Sequence, residues 1–518
     1  MADAHVLILE DDPIWQQNVI ETLQPIAAAM HTAATLAQAE TLLQTCYFNV
    51  AVVDWSLVLG DARDDQGAQF MQMLRSHDLT DTVRLVVLSA YPSTERLRAG
   101  FREFHVVDFL EKRSFDADAL LHAVLDALAQ NHLDHDVEIE VEGDDGGLSY
   151  LWERLTWAQR EPAEALDAEL YDLLRRVLPD ATRLAIRKLP AGQSGAGVLH
   201  VQPFFDSQAG VSVVVKFGKK DKIRREHANF QQHIEHFVAP HAGVQLVCAL
   251  GRAMGVIRYQ FIGAELNPEN DFARFYKRHA LEQIRHALDN LFKVTCNRWY
   301  DNRGTPRQRR DLVETYREGL RIEWDAVWQG MQELGIDPES EQLTFPAVAG
   351  ALPNPRRWLQ KRDNRLDFDV VRTVTHGDLN ERNILVTEDG RTWLIDFYRT
   401  GRSHILRDAV VLETAIKFNL ANCVDLTAFR DLDDVLLKQT QLDHLRIPTG
   451  HAQAKVLHTL AHLRRLAGSL NGVSDSMAEY NASLLLATLN LLRFDFMRDH
   501  HQQALLSAAR LCQWLDDH

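Results

Sequence analysis

Short apolar runs alternate with amphipathic stretches along the first quarter of the chain. Four runs have the length and composition of strands: HVLILE (5–10), NVAVVDW (49–55), RLVVLSAY (84–91) and VVDFLEK (106–112). The segments that follow them, such as DADALLHAVLDALAQ, space their apolar residues as helices do. Apolar strands that alternate with helices are typical of a parallel sheet covered on both faces. Residues 1–132 are therefore predicted to form a doubly wound α/β domain.

The next region, residues 133–180, breaks this alternation. LDHDVEIEVEGDDGG (133–147) contains seven acidic residues and neither Lys nor Arg, which is typical of an exposed linker, with a short strand predicted in VEIEV. Residues 149–178 have helical spacing that is interrupted at Pro162, and we interpret them as connector helices.

The remaining chain changes from strand-rich to helix-rich. Residues 181–265 contain several β-type runs, and residues 266–518 are predicted to be mostly helical, apart from a strand–loop–strand around 373–397. The apolar segment ASLLLATLNLL (482–492) is much shorter than the roughly 20 residues that span a bilayer. It is interpreted as a buried helix, and no association with a membrane is expected.

Composition narrows the functional classes. A net charge of −17 argues against sequence-independent binding of nucleic acids, which depends on cationic surface. Five widely spaced cysteines without a CxxC pair indicate neither a disulfide framework nor a zinc site, and we expect a reducing cytoplasm. A basic patch at 219–225 is interpreted as a helix start near a phosphate site or as solvated surface.

The predicted strands of the first domain end in chemically active side chains. These are Glu10, Asp11, Asp12, Asp54, Ser89 and Lys112. In a doubly wound sheet such ends meet at one edge, where clustered carboxylates need a hard cation such as Mg²⁺. A metal-bound Asp54 could attack a phosphoryl donor, Lys112 could pair with the added phosphate, and Ser89 could hydrogen-bond to it.

This pattern resembles the receiver domain of two-component response regulators, a flavodoxin-like fold with a five-stranded parallel sheet. The resemblance rests on the acids of LILEDDP and on VVDW, LSAY and FLEK. It implies that Asp54 is the phosphoacceptor and that Asp11 and Asp12 hold Mg²⁺ with it. It also implies three switch residues, Ser89, Phe109 and Lys112. Arg113 stands where the family usually has Pro, and the loop VLGDARDDQG after Asp54 is long. A degenerate receiver that serves only dimerisation is the alternative.

A second set of polar residues lies in THGDLNERNILV (375–386) and WLIDFY (393–398). Phosphoryl transfer needs a base for the acceptor hydroxyl and metal ligands that bridge the phosphates of the donor. Asp378, in the loop, can accept the hydroxyl proton, while Asn383 and Asp396 can reach one metal from two sides. His376 is expected to pack beneath the loop and orient it.

The strand-rich region is expected to hold the nucleotide. Lys216 lies inside the apolar run VSVVVKFG, where an amine needs a partner charge: the α- and β-phosphates of a nucleotide and a helix glutamate, Glu226 in preference to Glu235. Backbone groups from Gln260 to Ile262 would meet adenine. The Gly- and Ser-rich turn PAGQSGAG (190–197) could cover the phosphates with its free amides, which belong to Gly192, Ser194, Gly195 and Gly197.

These residues resemble the aminoglycoside phosphotransferase and choline kinase branch of the protein-kinase-like fold. HGDLNERN matches the HGDxxxxN of that branch, and IDF at 395–397 stands where protein kinases have DFG, with Tyr398 in place of Gly. The resemblance covers residues 181–518 and implies a bilobal α+β domain, with lobes at 181–265 and 266–518, that uses ATP and Mg²⁺. It also implies that Asp408 braces the catalytic loop.

The two resemblances predict a two-component signalling protein. A sensor histidine kinase would phosphorylate Asp54, and the second domain would transfer a phosphoryl group from ATP to a hydroxyl of a protein or small molecule. Two alternatives stay open: a signalling scaffold with a nucleotide-binding pseudokinase, and a small-molecule kinase of the aminoglycoside type. A homodimer through one receiver face is a further expectation.

Overall fold

The computed structural model describes residues 4–518 except 59–63, 91–93, 134, 143–151, 154, 190–194, 238–242, 263–269, 302–306, 362–365, 422, 424, 471 and 474–476. The chain divides into two compact units. The first contains Met1–Arg225 and Leu246–Gln260, and the second contains Glu226–Gln245 and Phe261–His518.

The first unit begins with a parallel sheet of five strands in the order β2-β1-β3-β4-β5. The strands are β1 (Ala4–Leu9), β2 (Ala27–Ala33), β3 (Val50–Asp54), β4 (Arg84–Ser89) and β5 (Asp108–Glu111). The helices are α1 (Pro13–Leu23), α2 (Leu36–Thr45), α3 (Gln66–Ser76), α4 (Thr94–Glu103) and α5 (Ala117–Ala129). This strand order is that of the flavodoxin-like doubly wound fold, as predicted.

Alternating side chains of the central strands supply a core on each face of this sheet. Leu7 and Val53 pack in one buried cluster, while Ile8 and Val52 pack in the other. This two-sided burial is the reason that β1 and β3 are continuous apolar runs in the sequence.

A second sheet follows, in the order β11-β12-β10-β8-β7-β6, with β9 paired to β8. Its strands are β6 (Glu138–Val141), β7 (Arg183–Lys188), β8 (Gly197–Phe205), β9 (Gln208–Ala209), β10 (Val213–Lys219), β11 (Gly243–Leu250) and β12 (Met254–Ile262). Helix α6 (Ala163–Val177) begins directly after Pro162 and buries Leu166, Leu170 and Leu173 in the core under this sheet. Helix α7 (Lys220–His233) follows β10.

The acidic segment predicted as a linker takes part in this second sheet. Its predicted strand is β6, which pairs in parallel with β7 through Glu138–Val141. Ile139 and Val141 pack against the same apolar core as α6. The acidic side chains of this strand alternate with the apolar ones, and Glu138–Val141 forms an edge strand of the sheet. The boundaries drawn at residues 132, 180 and 265 remain predictions.

The first sheet is joined to α6 and to β11 by hydrogen bonds within the first unit. Asp172, 2% exposed, accepts hydrogen bonds from Tyr47 Oη at 2.7 Å and from Asn49 Nδ2 at 2.9 Å. Arg176 donates to the carbonyl of Thr82 at 2.9 Å, and the Thr82 hydroxyl donates to the carbonyl of Leu250 at 2.9 Å. These receiver residues lie just before β3 and β4, at the edge opposite Asp54 and Ser89.

The second unit is largely helical, as predicted. Its helices after α7 are α8 (Phe272–Arg278), α9 (Leu281–Asn290), α10 (Asn297–Asp301), α11 (Leu312–Leu320), α12 (Trp324–Glu333), α13 (Pro355–Gln360), α14 (Arg407–Ala415), α15 (Leu426–Leu437), α16 (Ala454–Gly468), α17 (Met477–Leu489) and α18 (His501–Asp517). Helix α17 is buried on almost every side, which explains the apolar run from 482. In the part of the chain that the structure describes, no helix has the length and apolarity to cross a membrane.

Short two-stranded ladders interrupt the helices of the second unit. The pairs are β13 (Gln308–Asp311) with β16 (Asp367–Val370), β14 (Gln342–Thr344) with β15 (Ala351–Pro353), β17 (Arg372–Thr375) with β20 (Gly401–His404), and β18 (Ile384–Val386) with β19 (Thr392–Leu394). The last two pairs frame the loop that carries Asp378 and Asn383. The strand–loop–strand prediction therefore holds, but with four strands where two were expected.

Candidate functional site

Three carboxylates meet at the carboxyl edge of the first sheet. Glu10, Asp11 and Asp54 each place an oxygen within 4.8 Å of the others. Glu10 is 1% exposed and Asp54 is 5% exposed, so their charges are poorly screened by water. Oxygen ligands in this arrangement suit a hard divalent cation such as Mg²⁺.

Lys112 bridges two of these carboxylates. Its Nζ donates to Glu10 Oε2 at 2.5 Å and to Asp54 Oδ2 at 2.7 Å. Burial, together with the Asp54 charge, raises the pKa of Glu10 to about 7, although Lys112 opposes this shift. Burial likewise raises the pKa of Asp54, again against the effect of Lys112. The cluster is therefore an acidic pocket whose negative charge is only partly balanced.

Asp12, predicted to hold Mg²⁺, lies outside this group. Its Oδ1 accepts a hydrogen bond from the amide of Ile14 at 2.8 Å and so caps α1. Glu10 occupies the place in the cluster that the sequence interpretation gave to Asp12. The signal for this was present in the sequence, because an Asp directly before a Pro is a common helix start.

Two other residues predicted from the receiver resemblance lie on β4 and β5. Ser89 is buried at the end of β4, opposite Glu111 in the register. Phe109, on β5, lies with its ring centroid 5.9 Å from that of Trp55. Sequence reasoning missed Arg96, which donates to the carbonyl of Asp64 at 2.8 Å and joins α4 to the loop after Asp54. Residues 59–63 of that loop lie outside the described residues.

In the second unit, a tight turn holds the predicted base and a predicted metal ligand together. Asn383 Nδ2 donates to the carbonyl of Asp378 at 2.8 Å, and Asn380 Nδ2 donates to Asp378 Oδ1 at 3.4 Å. The carbonyl of Asn383 accepts from the amide of Ile395 at 3.2 Å. This last bond ties the loop to the residue before Asp396.

Asp396 stands at a sharp bend. Its backbone has φ 69° and ψ 67°, a left-handed conformation that is uncommon for residues other than Gly. The turn that follows is held by α7, because Glu226 accepts from the amide of Phe397 at 3.3 Å and Asn229 donates to the carbonyl of Tyr398 at 2.8 Å. Glu226 was predicted as a partner of Lys216, which remains a prediction; in the structure its carboxylate holds the turn after Asp396.

Asp408 clamps the start of the loop. Its two carboxylate oxygens accept from the amides of His376 and Gly377, each at 2.8 Å. His376 Nε2 in turn donates to the carbonyl of Ile395 at 3.0 Å. Gly377 has φ +86°, and a Cβ there would lie 2.3 Å from the carbonyl oxygen of Arg399. The backbone on both sides of Asp378 is therefore fixed.

The charges of this loop act on one another. Burial raises the pKa of Asp378 above its ordinary value, and the neighbouring Asp396 raises it further, whereas Arg399 lowers it. Such a carboxyl group is a stronger base than an exposed Asp. Asp378, Asn383 and Asp396 thus lie on one loop and the turn beyond it, braced by buried partners.

The nucleotide-binding positions predicted in the strand-rich region lie on the second sheet. Lys216, 7% exposed, pairs in register with Val198 on β8 and Ile257 on β12. Of the residues of the Gly- and Ser-rich turn, Gly195 has φ +69° and Gly197 begins β8, whereas Gly192 and Ser194 lie outside the described residues. Gln260 and the backbone of Ile262 end β12. Their nucleotide-binding roles remain predictions.

Parts of the chain are similar to solved structures of two kinds. The receiver domain of Francisella response regulator 1452 is 24% identical over 25% of this chain and 99% of that chain, with a TM-score of 0.21. A type VIII aminoglycoside-3′-phosphotransferase is 17% identical over 63% of this chain and 98% of that chain, with a TM-score of 0.35. The aminoglycoside phosphotransferase APH(3'')-Id of Streptomyces rimosus is 17% identical over 58% of this chain and 98% of that chain, with a TM-score of 0.30.

The first domain has the strand order of a flavodoxin-like doubly wound sheet, and the larger part is an α+β region with many helices. No curated protein sequence matches the chain. Residues 181–330 and 325–493 match the model of the family described as ternary complex associated domain 9. Because these residues make up more than half of the chain, the protein belongs to the ternary complex associated domain 9 family.

Proposed function

We propose that this protein is a two-component signalling enzyme in which phosphorylation of Asp54 controls an ATP-dependent phosphotransferase. The receiver fold and the kinase-like fold in one chain support signalling with a kinase-like domain. The observation that carries the enzyme proposal is the double fixation of the loop, through Asp408 on one side of Asp378 and Asn383 on the other.

In the receiver, Asp54 is the proposed nucleophile towards the phosphohistidine of a sensor kinase. Glu10, Asp11 and Asp54 would hold Mg²⁺, which supplies positive charge to the transferring phosphoryl group. Lys112 already binds the Asp54 carboxylate, so its ammonium group is in place to pair with the phosphate that replaces the free carboxylate charge.

In the kinase-like domain, Asp378 is the proposed base for the acceptor hydroxyl. Its raised pKa favours proton acceptance, while the fixed loop keeps the carboxylate in one place. Asn383 and Asp396 would hold Mg²⁺, which neutralises charge on the phosphates of ATP. Asn383 uses its Nδ2 on the loop, so its Oδ1 is the atom available for this role.

The coupling of the two activities is proposed to pass through α6. Asn49 and Thr82, which hold α6 and the β11–β12 turn, stand directly before the strands that end in Asp54 and Ser89. A shift of β3 or β4 on phosphorylation would therefore move Asp172 and the carbonyl of Leu250. Local charge changes acting through such a joint are a common form of phosphorylation switch.

ATP turnover by the full-length protein tests the enzyme proposal. We expect Mg²⁺-dependent release or transfer of the γ-phosphate of labelled ATP, and we expect Asp378→Asn to lower the rate by about 100-fold or more. Asp369→Asn, at an exposed position of β16, is the matched control and should leave the rate unchanged. Binding of ATP by wild type without any turnover would favour the scaffold alternative.

Phosphorylation by acetyl phosphate tests the receiver half. We expect Mg²⁺-dependent phosphorylation of wild type, detected as an acid-labile adduct by mass spectrometry, and none in Asp54→Asn. Asp126→Asn, exposed on α5, is the matched control. An unmodified wild-type protein under these conditions would support the degenerate receiver instead.

A further inference from the structure

Three arginines of the second unit lie around the turn that follows Asp396. Arg399 NH1 donates to the carbonyl of Leu320 at 2.5 Å, which attaches the turn to the end of α11. Arg321, which follows Leu320 in the chain, donates from NH1 to Tyr398 Oη at 3.0 Å. Its guanidinium carbon lies 5.0 Å from the centroid of the Tyr398 ring.

Arg493 completes this group. Its NH1 donates to the carbonyl of Arg321 at 2.9 Å, and its side chain is only 8% exposed. Its Nε is buried and has no hydrogen-bond partner among the described residues. The carboxylate that it binds is Glu323 at 3.1 Å, whose side chain is 75% exposed and therefore contributes a screened charge.

Charges of this group change the pKa of Asp378 in the loop. Arg399 lowers the pKa of Asp378 against the effect of burial. Burial lowers the pKa of Arg493, and the neighbouring Arg399 lowers it further, whereas the carboxylates of Glu323 and Asp378 oppose this shift. Like charges held together and partly desolvated raise the free energy of the protein until an anion approaches. A bound anion would offset part of this cost.

The backbone of Arg321 is strained as well. This residue ends α11 with φ 53° and ψ 51°, a left-handed position where Gly or Asn is favoured. A long cationic side chain at such a position costs free energy, and strained residues of this kind concentrate at ligand sites. The side chain itself lies over Tyr398, two residues beyond Asp396 in the chain.

We propose that Arg321, Arg399 and Arg493 bind a carboxylate or phosphate group of the acceptor, so that the acceptor is a small hydroxylated anion. This inference rests on the proposed function of Asp378. The acceptor hydroxyl oxygen forms a bond to the γ-phosphorus of ATP, the bond from that phosphorus to the leaving oxygen of ADP breaks, and the hydroxyl proton passes to Asp378. Aminoglycosides are polycations, so the same arginines would repel them.

Thermal unfolding and competition binding with matched probes test this inference. The probes are glycerol, glycerate, glycerol 2-phosphate and kanamycin, which are neutral, anionic, dianionic and polycationic. We expect the two anions, and neither of the other probes, to raise the Tm of the full-length protein. Arg321→Gln and Arg493→Lys should each weaken anion binding by about tenfold or more, the effect of losing a charged hydrogen bond. Arg310→Gln, at an exposed position of β13, is the matched control.

The KM for ATP separates this acceptor role from nucleotide binding. Arg321→Gln should leave that KM unchanged; a rise would mean that the arginines hold the nucleotide and would overturn the inference. Equal anion binding by wild type and both variants, or stabilisation by kanamycin alone, would also overturn it. If wild type binds the anions in an arginine-dependent way but never turns over ATP, the phosphotransferase proposal fails and the anion site stands.

Discussion

Gly377 fixes the backbone at the start of the loop that carries Asp378. Gly377→Ala combines a left-handed φ of +86° with a Cβ that would lie 2.3 Å from the Arg399 carbonyl oxygen and 2.4 Å from Arg407 NH2. Because neither neighbour is a free side-chain end, we expect the free energy of unfolding to fall by about 3 kcal/mol. We also expect most of the ATP turnover to be lost.

The matched control for this substitution is Gly350→Ala. Gly350 has φ +91°, but nothing lies within 4 Å of an added Cβ. It should therefore cost only about 1 kcal/mol, the strain of the backbone alone, and leave turnover unchanged. Urea unfolding and an ATP assay on both variants check this; equal losses in the two would contradict the role given to the Arg399 contact.

The pH dependence of ATP turnover should report the environment of Asp378. Burial raises the pKa of this carboxyl, so the basic form is lost, and kcat/KM falls, at a higher pH than for an ordinary Asp. Arg399→Gln removes the charge that lowers this pKa, and so should move the acid limb of the profile to still higher pH. Arg310→Gln is the control. A limb that stays in place in Arg399→Gln would show that the observed titration belongs to another group.

Single site residues were predictable where a polar residue interrupts or ends an apolar run. Asp54, Lys112, Asp378 and Asp396 stand out in this way. In the structure Lys112 pairs with Asp54, and Asp396 lies near enough to Asp378 to raise its pKa, while the roles of all four remain predictions. The choice between Glu10 and Asp12 failed because Asp12 already belongs to the start of α1, where its carboxylate caps the helix. Arg96 gave no signal at all, since its partners lie in a distant loop.

At the scale of elements, apolar content decided what could be predicted. The central strands β1, β3 and β4 are buried on both faces and were visible as Val- and Leu-rich runs. Edge strand β2, AAAMHTA, is partly exposed and consists mostly of alanine, so its pattern favours neither a strand nor a helix. Strand β6 was recognised as a strand, but its place in the second sheet depends on pairing with β7, which local sequence does not encode.

Helix α6 contains a buried acid that should make stability depend on pH. Glu169, fully buried, accepts from the amides of Ala253 at 2.8 Å and Met254 at 3.0 Å, and burial raises its pKa to about 7. The folded protein therefore retains a proton that the unfolded chain releases from about pH 4.5 upward, so the free energy of unfolding falls as pH rises through the window from 4.5 to 7.

Glu169→Gln should remove this part of the pH dependence while keeping an oxygen for the two amides. Near pH 8 the variant should exceed wild type by about 2–3 kcal/mol, and near pH 5 the two should converge. Hydrogen exchange of the Ala253 and Met254 amides, with urea unfolding across this range, measures the difference. Glu164→Gln, exposed in the first turn of α6, should follow wild type at every pH.

At the scale of the whole molecule, the join between receiver and α6 was beyond sequence reasoning. Its contacts, such as Asp172 with Tyr47 and Asn49, link positions more than 100 residues apart through isolated polar side chains. Helical spacing predicted α6 itself, but no periodicity marks which polar residue of a helix will be buried against another domain. The basic patch at 219–225 was likewise interpreted as a phosphate site or solvated surface, whereas Lys220 Nζ donates to the carbonyl of Asp78 at 2.6 Å.

This join yields the prediction that receiver phosphorylation changes ATP turnover through α6. Acetyl phosphate should alter the ATP turnover of wild type by about fivefold or more, which corresponds to a coupling free energy of about 1 kcal/mol or above. It should not alter the ATP turnover of Asp54→Asn. Asp172→Ala leaves the Tyr47 hydroxyl and the Asn49 amide without their buried acceptor, so it should still be phosphorylated on Asp54 but respond little. Glu164→Ala, in the same helix but exposed, should respond as wild type does.

Hydrogen exchange read at α6 and at the β11–β12 turn locates the change. We expect phosphorylation to alter the protection of these amides in wild type and to leave it unchanged in Asp172→Ala. A full response of turnover in Asp172→Ala would mean that the signal leaves the receiver by another surface, such as the one through which two receivers would pair.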